Sequence, residues 1–241
     1  MRDAGGTINE TPPPLTPEQI DLGFARRHNP ADYPPDWPGW KPTMAQALFP
    51  AELYKLVEED HGFTQDPAAE EWLRAYMARI GLVIENGRHL VMIGAPGCGK
   101  SFACARLARA AWREGGTDLA VCYAFGPRLL DALKGEHYGD DSPLLYFARR
   151  AKLLIVDDID RNLAAAGSDK QLPMALGLWD DMAATRHQNL RATVVTANRT
   201  FEELQNVVEW ERWLDRVEGR GDILSIRGGS QRRKRQVQSD E

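Results

Sequence analysis

The sequence predicts an α/β protein built on a parallel β-sheet with helices on both faces. Apolar, strand-like runs alternate with helix-like segments from residue 66 to residue 227, and this alternation is typical of parallel sheets. The run at residues 152–158 is apolar over most of its length, as expected for a strand that is covered on both faces. A glycine-rich turn between the first run and the next helical segment places a ligand site at the end of that strand.

Composition fits a water-soluble globular protein. The 241 residues are 43% hydrophobic and 27% charged, and the net charge of −5 excludes a polycation that binds nucleic acid over its whole surface. No apolar run approaches membrane-spanning length, and the first residues lead into no signal-peptide core. Cys98, Cys104 and Cys122 show neither CxxC spacing nor a paired framework, so we expect a reducing, cytoplasmic environment.

Helix and strand patterns can be placed in order along the chain. Asp66 and Pro67 open a helix as N-cap and first-turn proline, and its apolar stripe reaches Ile80. The other predicted helices are Ala45–Glu59, Lys100–Glu114, Pro127–Leu133, Leu144–Arg150, 171–188, a short one from Thr200, and Val207–Glu218. The predicted strands are Arg88–Ile93, Leu119–Phe125, Lys152–Asp158, Ala192–Ala197 and Asp222–Arg227. Residues 135–141 and 219–221 are predicted to be loops.

The chemistry centres on the turn after the first strand. Its sequence, GAPGCGKS, has the G-x-x-x-x-G-K-S spacing of a phosphate-binding loop, in which glycines let successive N–H groups face an anion at a helix N-terminus. The lysine would reach the β- and γ-phosphates of ATP, and the serine hydroxyl would bind Mg²⁺. The predicted nucleotide-binding residues are Gly94, Ala95, Pro96, Gly97, Cys98, Gly99, Lys100, Ser101 and Phe102. We also expect that alkylation of Cys98 blocks ATP binding and that Mg-ATP protects the thiol.

Polar residues follow two further strands. Asp157 and Asp158 end the third strand, and Asn198 follows the fourth, so the parallel sheet should bring all three to the edge that carries the loop. Asp157 would hold Mg²⁺, Asp158 would orient or activate the attacking water, and Asn198 would orient a water beside the γ-phosphate. The alternative for each is a structural role in a turn or at a helix N-terminus. For Asp160 and Arg161, a local ion pair and a subunit contact both remain open.

The order of these motifs resembles a known family. GAPGCGKS, LLIVDDID, VVTANR and WLDRVEGRGDILSIRGGSQRRKR together are similar to the DnaC/IstB-like branch of the AAA+ ATPases, over roughly residues 66–235. The resemblance implies an AAA+ sheet with a minimal C-terminal lid and a sensor role for Asn198. It further implies that Arg216 is an arginine finger reaching the neighbouring subunit's ATP, and that Arg232 is a second sensor arginine. Cys98 and Ser101 stand where the family often has threonine.

Partners follow from the resemblance as well. It implies an ATP-dependent homo-oligomer that binds DNA, expected to be single-stranded, and that loads a replicative helicase, with no membrane involved. The alternatives are a helper of a transposase and an adaptor that uses nucleotide only as a switch. We expect a proline-rich, partner-binding extension at residues 1–60, an ATPase domain at 61–228 and a tail at 229–241. Trp37 and Trp40 either fold back onto the domain or dock on a partner, and the basic tail either is solvated or contacts phosphate.

Overall fold

The computed structural model describes residues 64–115, 121–140, 142–161 and 172–229. The predicted helix at residues 45–59, the two tryptophans of the extension and the whole tail, including Arg232, lie outside these residues. The helices are α1 (Pro67–Met77), α2 (Ile80–Glu85), α3 (Lys100–Gly115), α4 (Gly126–His137), α5 (Pro143–Arg150), α6 (Leu172–Gln188), α7 (Phe201–Gln205) and α8 (Val208–Arg220). The strands are β1 (His89–Gly94), β2 (Val121–Phe125), β3 (Leu153–Asp157), β4 (Ala192–Ala197) and β5 (Gly221–Ile226).

The five strands form one parallel sheet in the order β2-β3-β4-β1-β5, which confirms the predicted fold class. The central strands β1, β3 and β4 are buried along nearly their whole length, as their continuous apolar runs predict. Alternate residues of a strand point to opposite faces, so β1, β2, β3 and β4 each contribute to two hydrophobic cores, whereas β5 packs only into the core on the side of α1–α3. Helices α1–α3 cover one face, and α4–α8 cover the other.

Two predicted loops are part of regular elements instead. The helix predicted to end at Leu133 continues through Gly135 to His137. Helix α8 continues to Arg220, and β5 begins at the next residue, Gly221. A Cβ on residue 221 would lie 2.6 Å from the carbonyl oxygen of His89, so this glycine serves the close approach of β5 to β1 rather than a turn.

Asp66 joins the start of the described domain to its end. Its carboxylate accepts hydrogen bonds from the N–H groups of Ala68 and Ala69, which confirms the predicted N-cap. The other carboxylate oxygen accepts the N–H of Arg227, directly after β5, at 3.0 Å. All of these hydrogen bonds lower the pKa of Asp66, and the bond from the Arg227 N–H has the largest effect. No helix among the described residues has the length and apolar character needed to cross a bilayer.

Candidate functional site

The loop between β1 and α3, residues 94–100, is shaped by its glycines. Gly97 and Gly99 have φ angles of 81° and 113°, a region that favours glycine. A Cβ on residue 94 would lie 2.4 Å from the carbonyl oxygen of Ile226, because β5 runs directly beside this position. The N–H groups of the first turn of α3 have no acceptor within the helix, so the loop presents donors at a helix N-terminus. We call residues 94–101 the phosphate loop.

Lys100 is buried and fully hydrogen-bonded within this site. Its Nζ donates to the carbonyl oxygens of Gly94 at 2.6 Å and Ala95 at 3.1 Å, and to Asn198 Oδ1 at 3.0 Å. A phosphate oxygen that binds the ammonium group would therefore replace neutral acceptors with a charged one, which makes a stronger hydrogen bond. Lys100 and Asn198 are thus in contact, as the shared sheet edge predicts.

Asp157, the last residue of β3, is held by two hydroxyl groups. The hydroxyl of Thr196 donates to its Oδ1 at 2.6 Å, and the hydroxyl of Tyr123 donates to its Oδ2 at 2.7 Å. The carboxyl group is almost wholly buried, so these bonds fix its orientation at the strand end. Burial is the main cause that raises the pKa of Tyr123, and the negative charge of Asp157 adds to it.

Asp158 has an unusual backbone for a residue with a side chain. Its φ angle is 53°, and its N–H donates to Thr196 Oγ1 at 2.9 Å, so the same threonine holds both aspartates. A left-handed conformation at a residue other than glycine costs of the order of 1 kcal/mol and is enriched at functional sites. Burial, and then the neighbouring charge of Asp157, raise the pKa of Asp158; hydrogen bonding by Asn198 and the charge of Lys100 oppose this.

Asn198 connects the two halves of the site. Its Oδ1 accepts from Lys100, and its Nδ2 donates to Asp158 Oδ1 at 3.2 Å. Its backbone N–H donates to Asp160 Oδ2 at 2.8 Å, so Asp160 supports Asn198. Asp160 does not form the local ion pair with Arg161 that the sequence left open. Arg161 instead lies over the ring of Phe125 at 5.5 Å. Burial raises the pKa of Asp160, and the backbone N–H groups of Asn198 and Arg199 oppose that shift.

The remaining predicted residues lie around or outside this cluster. Ser101 occupies the first turn of α3, and Phe102 packs partly buried against the core beneath it. Cys98 is 1% exposed, with its Sγ 3.8 Å from Lys100 Nζ. The thiol is buried in this conformation, so an alkylating reagent could reach it only if the loop opened. A block of ATP binding by alkylation, with protection by Mg-ATP, stays a prediction.

Arg216 does not belong to the cluster around Lys100. It lies on α8, where its guanidinium group is hydrogen-bonded to the buried carboxylate of Asp180 on α6. Its charge acts on His89, at the start of β1, which is the end of that strand remote from the phosphate loop. Within one chain, Arg216 is thus separate from the nucleotide site.

Tyr123, Thr196 and Asp160 were not assigned to the site from the sequence. Tyr123 and Thr196 lie inside apolar strands, and no motif singled them out. One signal in the sequence could have identified them. A hydroxyl group in a strand that is buried on both faces needs a hydrogen-bond partner, so such a residue points to a polar neighbour. Asp160 was singled out, but its acceptor role could be seen only once β4 was placed beside it.

The donor set of the site fits ATP and Mg²⁺. The glycine cradle around residue 94 leaves no room for a side chain, and Lys100 supplies a cation that is bonded to two carbonyl oxygens of the loop. Two carboxylates and a hydroxyl at the same edge are oxygen ligands of the type that Mg²⁺ prefers. The arrangement can bind a phosphate chain and place a carboxylate beside it.

Comparison with known proteins gives a family and a fold. The family model described as IstB-like ATP binding protein matches residues 42–239, most of the chain. No curated protein sequence matches the chain. The crystal structure of the DnaC helicase loader is similar with a TM-score of 0.53 at 20% identity, over 67% of this chain and 89% of that one.

Two structures of the replication initiator DnaA are similar as well. One, bound to AMPPCP and single-stranded DNA, has a TM-score of 0.54 at 15% identity, over 71% of this chain and 49% of that chain. The other, from Aquifex aeolicus and bound to AMPPCP, has a TM-score of 0.52 at 16% identity, over 72% of this chain and 50% of that chain. The chain thus spans about half the length of these DnaA structures. At such identities the likeness concerns the fold, which is of the AAA+ type.

Proposed function

We propose that this chain, which belongs to the family of IstB-like ATP-binding proteins, is an ATPase whose ATP state controls the loading of a replicative helicase onto DNA. The observation that carries the ATPase part is the meeting of Lys100, Asp157 and Asp158 at one sheet edge, with Asn198 bonded to both Lys100 and Asp158. Cationic and carboxylate groups in this arrangement serve phosphoryl transfer to water.

The roles follow from the positions of the groups. Lys100 leaves its carbonyl acceptors and binds the β- and γ-phosphates, while the N–H groups of the phosphate loop hold the chain of phosphates. Ser101 and Asp157 would hold Mg²⁺, which would neutralise phosphate charge. Asp158 accepts a hydrogen bond from the attacking water, and Asn198, released by Lys100, orients that water from the other side.

A set of single substitutions tests turnover at this site. Lys100→Ala should abolish binding of ATP, because it removes the cation of the loop. Asp158→Asn should keep ATP binding and lose most of the hydrolysis, while Asp181→Asn, an exposed aspartate on α6, should change neither. Binding is measured with a fluorescent ATP analogue and hydrolysis by phosphate release. Hydrolysis at the unaltered rate in Asp158→Asn would refute the assigned role, and binding without any turnover in the unaltered protein would favour a nucleotide-switched adaptor.

We propose that Arg216 acts on the ATP of a neighbouring subunit in an ATP-dependent homo-oligomer. Its distance from the chain's own phosphate loop agrees with a role across an interface, for which its bond to Asp180 would have to open. Arg232, outside the described residues, is proposed as a second sensor arginine of the same site. We also retain the division into a partner-binding extension at 1–60, an ATPase domain at 61–228 and a tail at 229–241.

The helicase is proposed as partner because the DnaC helicase loader shares the fold. A transposase is the second candidate, because the matching family is that of IstB-like proteins. Immobilised full-length protein with ATP is offered purified replicative helicase and purified transposase from the same host, and a form lacking residues 1–44 serves as comparison. Capture of the helicase that depends on residues 1–44 supports loading; capture of the transposase alone would overturn it.

A further inference from the structure

We infer that the sheet edge opposite the phosphate loop carries a second site, a surface that binds the phosphate backbone of DNA through Arg149, Arg150, Lys152 and Arg191. We call these four residues the basic edge. The inference rests on the proposed function only in taking DNA as a partner, and it assigns that contact to residues that take no part in ATP binding.

The four side chains lie together because of the sheet register. Arg149 and Arg150 end α5, Lys152 directly precedes β3, and Arg191 directly precedes β4. The first residues of these two strands are paired, so Lys152 and Arg191 stand side by side at the strand starts. Arg191 Nη1 donates to the carbonyl oxygen of Arg149 at 2.5 Å, which ties the fourth residue to the first. Arg150 and Lys152 are exposed to solvent.

A fifth positive charge lies beneath this surface without a carboxylate partner. Arg186 on α6 is 1% exposed, and its guanidinium group donates only to neutral oxygens. Nη1 donates to Ala148 O at 2.6 Å and to Ala151 O at 2.9 Å, Nη2 donates to Ala192 O, and Nε donates to Thr193 Oγ1 at 3.0 Å. Buried charges are usually paired with an opposite charge, so this cation leaves a positive potential at the edge.

The acidic residues nearby do not balance these charges. Glu136 binds Arg149 with two hydrogen bonds of 2.5 Å, and this accounts for one of the four surface cations. Within the described ranges, no carboxylate forms an ion pair with Arg150, Lys152 or Arg191. The charge of Arg150 instead adds to partial burial in lowering the pKa of Arg191, which shows that the cations repel one another.

Interaction with the end of α5 does not account for the exposed cations. Basic residues often end helices because they interact with the negative C-terminal end. At the end of α5, however, Arg186 already donates to the carbonyl oxygens of Ala148 and Ala151. Arg150 and Lys152 are therefore not needed for that purpose, and crowded cations without counter-charges are stabilised by a bound anion.

The geometry favours a phosphate backbone over an acidic protein. The guanidinium carbon of Arg150 lies 3.9 Å from the centre of the Tyr146 ring, so the ring holds the guanidinium group by one face. A guanidinium edge left free in this way binds phosphate with two parallel hydrogen bonds, and an aromatic ring beside it can stack on a base. Adjacent cations at paired strand starts match the regularly spaced charges of a nucleic-acid strand.

The test compares the salt dependence of DNA binding in two matched double variants of the full-length protein with Mg-ATP. Arg150→Gln with Lys152→Gln removes two charges from the basic edge. The control, called the α1 variant, is Arg74→Gln with Arg79→Gln, which removes one exposed charge from α1 and one from the turn after it, on the other face of the sheet. Binding of a labelled oligonucleotide is followed by fluorescence anisotropy, with a single strand and a duplex as separate arms. ATP binding and thermal unfolding report whether each variant folds and keeps its nucleotide site.

If both cations contact phosphates, the slope of log Kobs against log salt should become shallower by about 1.4 for a single strand or about 1.8 for a duplex. The α1 variant should keep the slope of the unaltered protein, and Arg150→Lys, which keeps the charge, should lose much less than the double variant. An unchanged slope in the basic-edge variant, or an equal change in the α1 variant, would overturn the surface while leaving the proposed function intact. No DNA binding by the unaltered protein would overturn both. Binding of polyglutamate is measured in parallel as a model of an acidic protein. If the basic-edge variant loses polyglutamate binding but keeps DNA binding, the DNA surface is overturned in favour of one that binds an acidic protein.

Discussion

Removing the hydroxyl group from one of two buried tyrosines should lower the free energy of unfolding, and removing it from the other should not. Tyr123 and Tyr76 are both 2% exposed. The hydroxyl of Tyr123 donates to Asp157, whereas that of Tyr76 has no hydrogen-bond partner among the described residues. Tyr123→Phe leaves a buried carboxylate oxygen without its donor, which should lower the free energy of unfolding by about 2 kcal/mol. Tyr76→Phe removes a buried hydroxyl that is unsatisfied, so the free energy should stay the same or rise.

In a domain of this size, a loss of about 2 kcal/mol lowers Tm by about 4–8 °C, which scanning calorimetry resolves easily. Tyr123→Phe should also raise the Mg²⁺ concentration that half-saturates ATP hydrolysis by about tenfold, because Asp157 loses one of the two groups that orient it. Tyr76→Phe should leave that concentration unchanged. Equal losses of Tm in the two variants would refute the reasoning, since packing rather than the bond to Asp157 would then explain the loss.

Three further outcomes are expected. Burial, with the nearby charges of His187 and three arginines, lowers the pKa of His89 from about 6.5 to about 3. In mild acid the folded protein therefore binds fewer protons than the unfolded chain, so its stability falls as the pH drops below about 6.5. Urea unfolding should show about 1 kcal/mol less stability at pH 5.5 than at pH 7 from this group, and His89→Gln should remove that difference; the same pH dependence in both proteins would contradict it. The Arg216→Ala protein should bind ATP and hydrolyse it poorly. Mixing it with Lys100→Ala protein should recover ATP hydrolysis, because a mixed interface can pair an intact loop with an intact Arg216. No recovery in verified mixed oligomers would count against action across an interface. Iodoacetamide should modify Cys98 far more slowly in the folded protein than in urea, and equal rates would mean that the phosphate loop is open in solution.

The main residues of the site could be predicted because each has a local signal. The phosphate loop has a fixed spacing, and Asp157, Asp158 and Asn198 each follow an apolar strand. One rule, that the carboxyl ends of parallel strands share an edge, then brings them together. The hydrogen bonds of Asn198 to Lys100 and Asp158 show that these residues lie together, as this rule predicts.

The groups that support the site could not be found in this way. Thr196 holds both Asp157 and Asp158, but its hydroxyl has a purpose only once β4 lies beside β3. Gly135 was taken as the sign of a loop, yet a glycine in the last turn of a helix costs only about 1 kcal/mol, and the packing of α4 outweighs that cost. Local propensity thus misled where tertiary contacts decide.

The bond between Asp66 and Arg227 determines where the flanking segments leave the domain. Gln65 and Gly228 come so close that a Cβ on residue 228 would lie 3.9 Å from Cβ of Gln65, and the neighbouring Ile226 is paired with Gly94 at the start of the phosphate loop. Residues 1–63 and 230–241 are therefore tethered at one point beside the phosphate loop. A molecule bound by either segment is held there at a high effective concentration, and one bound by both gains avidity without any new contact to the domain. The same closeness would let a short peptide join the two ends, so the domain could be circularly permuted without stretching either terminus.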